Sequence, residues 1–245
     1  MTYCLAISVD DGIVFASDSR TNAGVDNVNT YPKMYTFPIG EEAYFVVLTS
    51  GNLATTQALI RAIEKDLQES TLESPKGLAS YKDMADAAAY VGTLAVNLKN
   101  YYQHDLKQGA NFDCTLIFGG QIKGQPCEIF MIYPEGNYIQ SSPYAPFLQI
   151  GETKYGKPIL DRVIKNNTSL EEAARCALVS LDSTMRSNLS VAPPFDVLMY
   201  KKDTFLPAHT LRYKLNSTYY ASLRKRWGEG LMDLFNGLPP FDWEK

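Results

Sequence analysis

Near the start of this 245-residue chain stand Thr2, Asp18 and Lys33, side chains that together could carry out acyl transfer. A residue as small as Thr2 favours trimming of Met1. Trimming would leave a free α-amine and a hydroxyl on one residue. An α-amine ordinarily titrates at about 7.7–8.0, which suits a general base near neutral pH. An N-terminal Thr activated by its own amine is a known kind of nucleophile. A nearby positive charge would hold the amine's proton affinity down. Lys33 is expected to supply that charge, and Asp18 to pair with Lys33 and orient it. Gly51 stands where a strand gives way to a helix, so its backbone N–H would face a developing oxyanion with the helix dipole behind it.

Such groups need a rigid frame, and the sequence predicts one. The apolar run 3–9, the Asp10-Asp11-Gly12 turn and the run 13–16 read as an antiparallel hairpin that delivers Asp18. Residues 22–33 read as a polar loop. Strands are expected at 33–37 and 43–48, split by a Pro38-Ile39-Gly40 turn. A helix should follow from about Ser50 to Glu69, with Leu53, Leu59, Ile60, Ile63 and Leu67 as its apolar stripe. A second helix is expected over about 82–107. Strands follow at 114–118 (ended by Gly119-Gly120), 128–133, 137–141 and 147–150. Helices are predicted over 155–164 and from Ser169, a plausible cap, to about Arg186. Strands at 196–200 and 210–213 and a helix over 217–235 close the chain. Strands and helices alternate in blocks, which predicts an α+β layered domain rather than a βαβ repeat.

Composition narrows the function classes. A net charge of −4 gives no reason to expect nucleic-acid binding. No run has the length of a membrane span and no signal peptide is legible, so a cytoplasmic protein without membrane contact is expected. Cys4, Cys114, Cys127 and Cys176 lie in apolar runs without C-x-x-C spacing and read as reduced, buried thiols. No metal or cofactor is expected. With only His104 and His209 available, the sequence favours a base other than imidazole.

Taken together, Thr2, the segment Asp18-Ser19-Arg20-Thr21, Lys33 before a strand, and Thr49-Ser50-Gly51 opening a helix resemble the proteasome β-subunit family, which includes the bacterial HslV-like peptidases. The segments 180–188 and 150–158 resemble its bacterial Anbu branch. The resemblance covers nearly the whole chain. It implies a four-layer αββα sandwich, the N-terminal-nucleophile hydrolase fold, as one domain over 1–245 with 217–245 a C-terminal helical extension. It further implies catalytic roles for Asp182 and Ser187, with Ser183 or Thr184 as alternatives to Ser187, and a first specificity pocket lined by Thr21, Tyr31, Thr49 and Leu53. One departure stands out. Where family peptidases carry Gly-Ser-Gly before a helix, this chain has Gly151-Glu152-Thr153. A carboxylate there could accept protons, or could raise the amine's pKa and weaken catalysis.

The C-terminal stretch gathers Tyr219, Tyr220, Leu223, Trp227, Leu231, Phe235, Phe241 and Trp243. Such a set suits either a core helix or a subunit interface. Family members form rings, and the Anbu branch open helical or lock-washer arrays, so a homo-oligomer is expected. The leading functional reading is a self-assembling threonine hydrolase that cleaves peptide amide bonds. Two others stay open: an amidohydrolase of a small amide, and a catalytically weak proteasome-like scaffold. No ATPase partner is legible.

Overall fold

The computed structural model describes residues 2–22, 28–105 and 111–244. Met1 and the last two residues of the expected second helix, Leu106 and Lys107, lie outside these. The first half of the chain runs β1 (Tyr3–Val9), β2 (Gly12–Ser17), β3 (Arg20–Asn22), β4 (Val28–Thr30), β5 (Met34–Ile39), β6 (Ala43–Gly51), α1 (Leu53–Gln68) and α2 (Met84–Asp105). The second half runs β7 (Cys114–Ile122), β8 (Glu128–Ile132), β9 (Tyr138–Gln140), β10 (Phe147–Gly151), α3 (Lys157–Val163), α4 (Leu170–Ser187), β11 (Phe195–Lys201), β12 (Pro207–Tyr213) and α5 (Thr218–Asn236).

Two antiparallel five-stranded sheets form, ordered β10-β1-β2-β11-β12 and β5-β6-β7-β8-β9. The apolar runs stay unbroken because their strands are covered on both faces. In β1, Tyr3, Leu5, Ile7 and Val9 face α3, α4 and the start of α5, while Cys4 and Ala6 face the other sheet. In β6, Phe45 and Val47 face α1 and α2, while Tyr44, Val46 and Leu48 face back between the sheets. The alternation of side chains along a strand thus builds three apolar layers from two sheets. The result is the αββα sandwich.

Local chemistry sets the helix ends. Asn52 caps α1, its Oδ1 accepting from Thr55 N at 3.1 Å. Ser169 caps α4 in a reciprocal box with Glu172, a device that contributes about 1 kcal/mol. Three expectations are corrected. The polar loop contains the short hairpin β3–β4. β5 runs through Pro38, which an edge strand tolerates because no neighbour needs its missing N–H. β7 continues through Gly119 and Gly120 to Ile122, because these glycines let the flanking strands approach closely.

Candidate active site

β1 lies between β10 and β2, so its first residues emerge flanked by the ends of both. On the β2 side, Tyr3 N–H donates to Asp18 Oδ1 at 3.0 Å, and Asp18 N–H returns a bond to Tyr3 O at 3.1 Å. On the β10 side, Glu152 N–H donates to Thr2 O at 2.8 Å. Thr2 is thereby held through its own carbonyl on one side and through its neighbour Tyr3 on the other, while remaining partly exposed.

Lys33 precedes β5 and points back under this end of the sheet. Its Nζ donates to Asp18 Oδ1 at 2.7 Å and to Arg20 O at 2.5 Å. Both charges are withdrawn from water, Asp18 at 0% and Lys33 at 5% exposure. Burial pushes the Asp18 carboxyl above its ordinary range; Lys33 and the backbone amides of Tyr3 and Ala192 pull against that push. The same oxygen that accepts from Lys33 also accepts from the residue following Thr2, so the ion pair is wired to the start of β1.

The other sheet brings β6 to the same end. Thr49 N–H donates to Lys33 O at 2.9 Å, and Cys4 Sγ lies 3.7 Å from Thr49 O. Gly51 closes β6 at φ +104°, and a Cβ there would lie 2.4 Å from Asp113 O. Only glycine fits this junction ahead of α1. Gly151 is still tighter. At φ +83°, a Cβ would lie 1.9 Å from Thr2 O and 3.4 Å from Ser50 Oγ. Thr2, the Ser50-Gly51 corner and the Gly151-Glu152 turn therefore converge on one spot.

The residues expected around a specificity pocket flank Lys33 from both sides. Thr21 follows Arg20 in β3, and Tyr31 N–H donates to Ser19 O at 3.0 Å. Thr49 ends β6 and Leu53 opens α1. Thr49 is buried, and the other three are partly exposed.

The two α4 residues fall elsewhere. Asp182 Oδ1 accepts from Tyr220 Oη at 2.9 Å and from Arg224 Nε at 2.6 Å, which clamps α5 onto α4. Ser180, whose Oγ shares a 2.7 Å hydrogen bond with Tyr3 Oη, marks the face of α4 that meets β1. Two residues along a helix amount to about 200° of rotation, so Asp182 faces away from it. Ser187 ends α4 exposed. The residue that reaches the Thr2 region is the next one, Asn188, whose Nδ2 donates to Glu152 Oε2 at 3.0 Å. Sequence reasoning missed it; the only pointer was the carboxylate at Glu152, which needs a donor.

Other nucleophiles and bases are poorly placed. Burial pushes the Cys114 thiol up to about 11, and those of Cys127 and Cys176 to about 12; Cys4 is driven higher still. All four stay protonated at neutral pH. His104 and His209 are exposed, the one in the last turn of α2 and the other in the edge strand β12. Among the described residues, no group of His, Cys, Asp and Glu could hold a metal ion, and no helix is long and apolar enough to cross a membrane.

A family model described as Proteasome subunit matches residues 2–197. No curated protein matches. Among solved structures, the chain is similar to Anbu (ancestral beta-subunit) from Yersinia bercovieri, with 42% identity over 98% of this chain and 99% of that one and a TM-score of 0.90. It is also similar to the chain of the helical assembly of the Anbu complex from Pseudomonas aeruginosa, with 42% identity over all of both chains and a TM-score of 0.92. Anbu from Hyphomicrobium sp. strain MC1 aligns at 42% identity, 98% and 100% coverage and a TM-score of 0.89. With its αββα sandwich and the convergence of both sheets on Thr2, the chain belongs to the proteasome subunit family, as an Anbu-type homologue of the β-subunit with the N-terminal-nucleophile hydrolase fold.

Proposed function

We propose that this protein is a self-assembling threonine hydrolase that cleaves amide bonds in peptides after removal of Met1. The observation that carries the reading is the buried Lys33–Asp18 pair bonded through Tyr3 N–H to the start of β1. A buried ion pair contributes little net stability, so its position beneath Thr2 is better explained by chemistry than by folding. That also counts against a decayed scaffold.

In this reading Thr2 Oγ attacks the amide carbon as its proton passes to the Thr2 amine. The carbonyl π electrons move onto oxygen, which the Gly51 N–H faces. Collapse of the tetrahedral intermediate breaks the C–N bond, and the ammonium returns its proton to the leaving nitrogen. Water then releases the acyl group from Oγ by the same steps. Lys33 favours the neutral amine and Asp18 orients Lys33. Thr21, Tyr31, Thr49 and Leu53 would contact the substrate side chain. Asp182 is assigned a structural role in anchoring α5, and Ser187 none in the chemistry. No cofactor is needed.

Assembly is part of the proposal. The second half of α5 and the residues after it leave Phe235 68% and Trp243 78% exposed, beside Leu234, Leu238 and Phe241. An apolar surface of this kind marks an interface, and the similar Pseudomonas aeruginosa chain is described in a helical assembly. One test covers the chemistry: intact-mass analysis of protein from cells, before and after treatment with an electrophile directed at N-terminal threonine. A single adduct on Thr2, absent from Thr2→Ala, is expected. Uniform retention of Met1 would remove the base and sink the mechanism.

A further inference from the structure

The loop leaving α4 reaches the start of β1 through a contact that the mechanism above does not use. Glu152 is bonded to Thr2 through its backbone, and its carboxylate accepts from Asn188 Nδ2 at 3.0 Å. The Asn188 amide is itself oriented. Its Oδ1 accepts from Ser190 N–H at 2.9 Å, which leaves the Nδ2 end for Glu152. Its backbone N–H donates to Thr184 O and closes α4. The loop beyond is pinned to the other side of the site, where Arg20 Nη1 donates to Leu189 O and Ser19 Oγ to Pro194 O, both at 2.7 Å. The residue whose backbone N–H holds the Thr2 carbonyl thus has its carboxylate held by a donor that carries no charge. An arginine or lysine in that place would neutralise it; an amide leaves its charge intact.

Resting on the reading of Thr2 as nucleophile, we propose that Asn188 is a positioning residue that holds Glu152 as the charge partner of the Thr2 α-ammonium. That ammonium forms whenever the amine takes the hydroxyl proton. A negative charge beside it stabilises the protonated form and raises the pH at which the amine is free to act as base. The surrounding charges set the balance. Lys33 opposes protonation of the amine, and Asp18 is paired with Lys33. The Tyr3 phenol, pushed up by burial and bonded to Ser180 and Gln149, stays neutral. Arg20 is engaged with Leu189 O, and Lys154 is exposed in the turn after Glu152. The proton moves from Thr2 Oγ to Thr2 N and on to the leaving nitrogen, and Glu152 takes no part in the transfer.

The test uses full-length protein whose first residue is confirmed as Thr2. Trace acetylation with acetic anhydride across a pH series, read by mass spectrometry on the N-terminal peptide, titrates the amine whether or not the hydroxyl reacts. Glu152→Gln keeps the shape and drops the charge. It should lower the midpoint by about half a pH unit or more. Asn188→Ala should shift it in the same direction by less, and should add nothing in the Glu152→Gln background. An identical midpoint in wild type and Glu152→Gln would overturn the proposal, as would an Asn188→Ala shift that persists in the double variant. Electrophile labelling of Oγ, run in parallel, separates the two ideas. Labelling with an unmoved midpoint removes the Glu152 role alone, and a moved midpoint without labelling removes the nucleophile alone.

Discussion

Replacing Lys33 by Met keeps a long side chain and removes the ammonium, leaving Asp18 fully buried with the Tyr3 N–H on the oxygen that Lys33 also served. Removing one member of a buried pair costs about 3–5 kcal/mol when the other must stay charged. Asp18 has a way out, because it can take up a proton. Burial already pushes its carboxyl upward, and Lys33 is the main opposing pull. In the variant the folded chain therefore binds this proton more tightly than the unfolded chain does. Stability then falls as pH rises, at about 1.4 kcal/mol per pH unit wherever only the folded form is protonated. Asp18→Asn produces the opposite burden. Lys33 keeps its bond to Arg20 O but loses its counter-charge. No carboxyl remains there to take up a proton, so the growth of the loss with pH expected for Lys33→Met is absent.

Melts of the two variants and the wild type, taken from about pH 5.5 to 8.5, should thus give a loss that grows with pH in Lys33→Met and not in Asp18→Asn. For a chain of this size 1 kcal/mol moves the midpoint by about 2–4 °C, so the larger losses approach 10 °C or more. Protein concentration must be held fixed, because assembly would make the midpoint depend on it. Electrophile labelling of Thr2 should fail in both variants. A Lys33→Met loss that stays flat with pH, or one that grows equally in both variants, would show that the pair is solvated in the working molecule and would refute the burial argument.

Three further outcomes are expected. In the wild type, labelling should fall on acidification first as the Thr2 amine takes up a proton and then more steeply, still above the ordinary carboxylate range of about 3.9, as Asp18, raised by burial, takes up its own; a fall of one constant slope down to the ordinary range would contradict this. Gly151→Ala would drive a Cβ to within 1.9 Å of Thr2 O. A displacement on the order of 1 Å should cost about 100-fold in labelling rate, and an unchanged rate would show that Thr2 is not held by this turn. Deleting 217–245 removes Tyr220 from the core and should give aggregated protein, whereas deleting 229–245 keeps Tyr220 and Arg224 and should give a soluble, smaller species by sedimentation; equal solubility of both would refute the division of α5.

The buried strands were legible because β1, β2 and β6 are covered on both faces and so read as unbroken apolar runs. The cap at Ser169 was legible because its partner lies three residues away, whereas the first helix was expected from Ser50 and begins only after its Asn52 cap. The β3–β4 hairpin was not, since strands three residues long with polar side chains carry no period. Asn188 was hidden for a related reason. After a helix it reads as an end residue, and its partner Glu152 lies 36 positions back in the chain. Asp182 was ambiguous in the opposite sense. A carboxylate near a helix end fits several roles, and only the packing of Tyr220 and Arg224 against it selects one.

That packing bears on how α5 divides its work. Tyr220 is fully buried between Phe195 and Tyr213, and its hydroxyl and Arg224 meet the same Asp182 oxygen. The clamp occupies the first two turns and fixes the direction of the helix. Beyond it, Leu231, Met232, Leu234, Phe235 and Leu238 stand out in water, and Phe241 stacks on Trp243 with ring centroids 4.4 Å apart. Each such side chain would gain roughly 1.5–3 kcal/mol if fully covered, so the surface favours a partner without needing one for the fold. The polar clamp gives the apolar end a defined orientation, which a contact repeated between identical subunits requires.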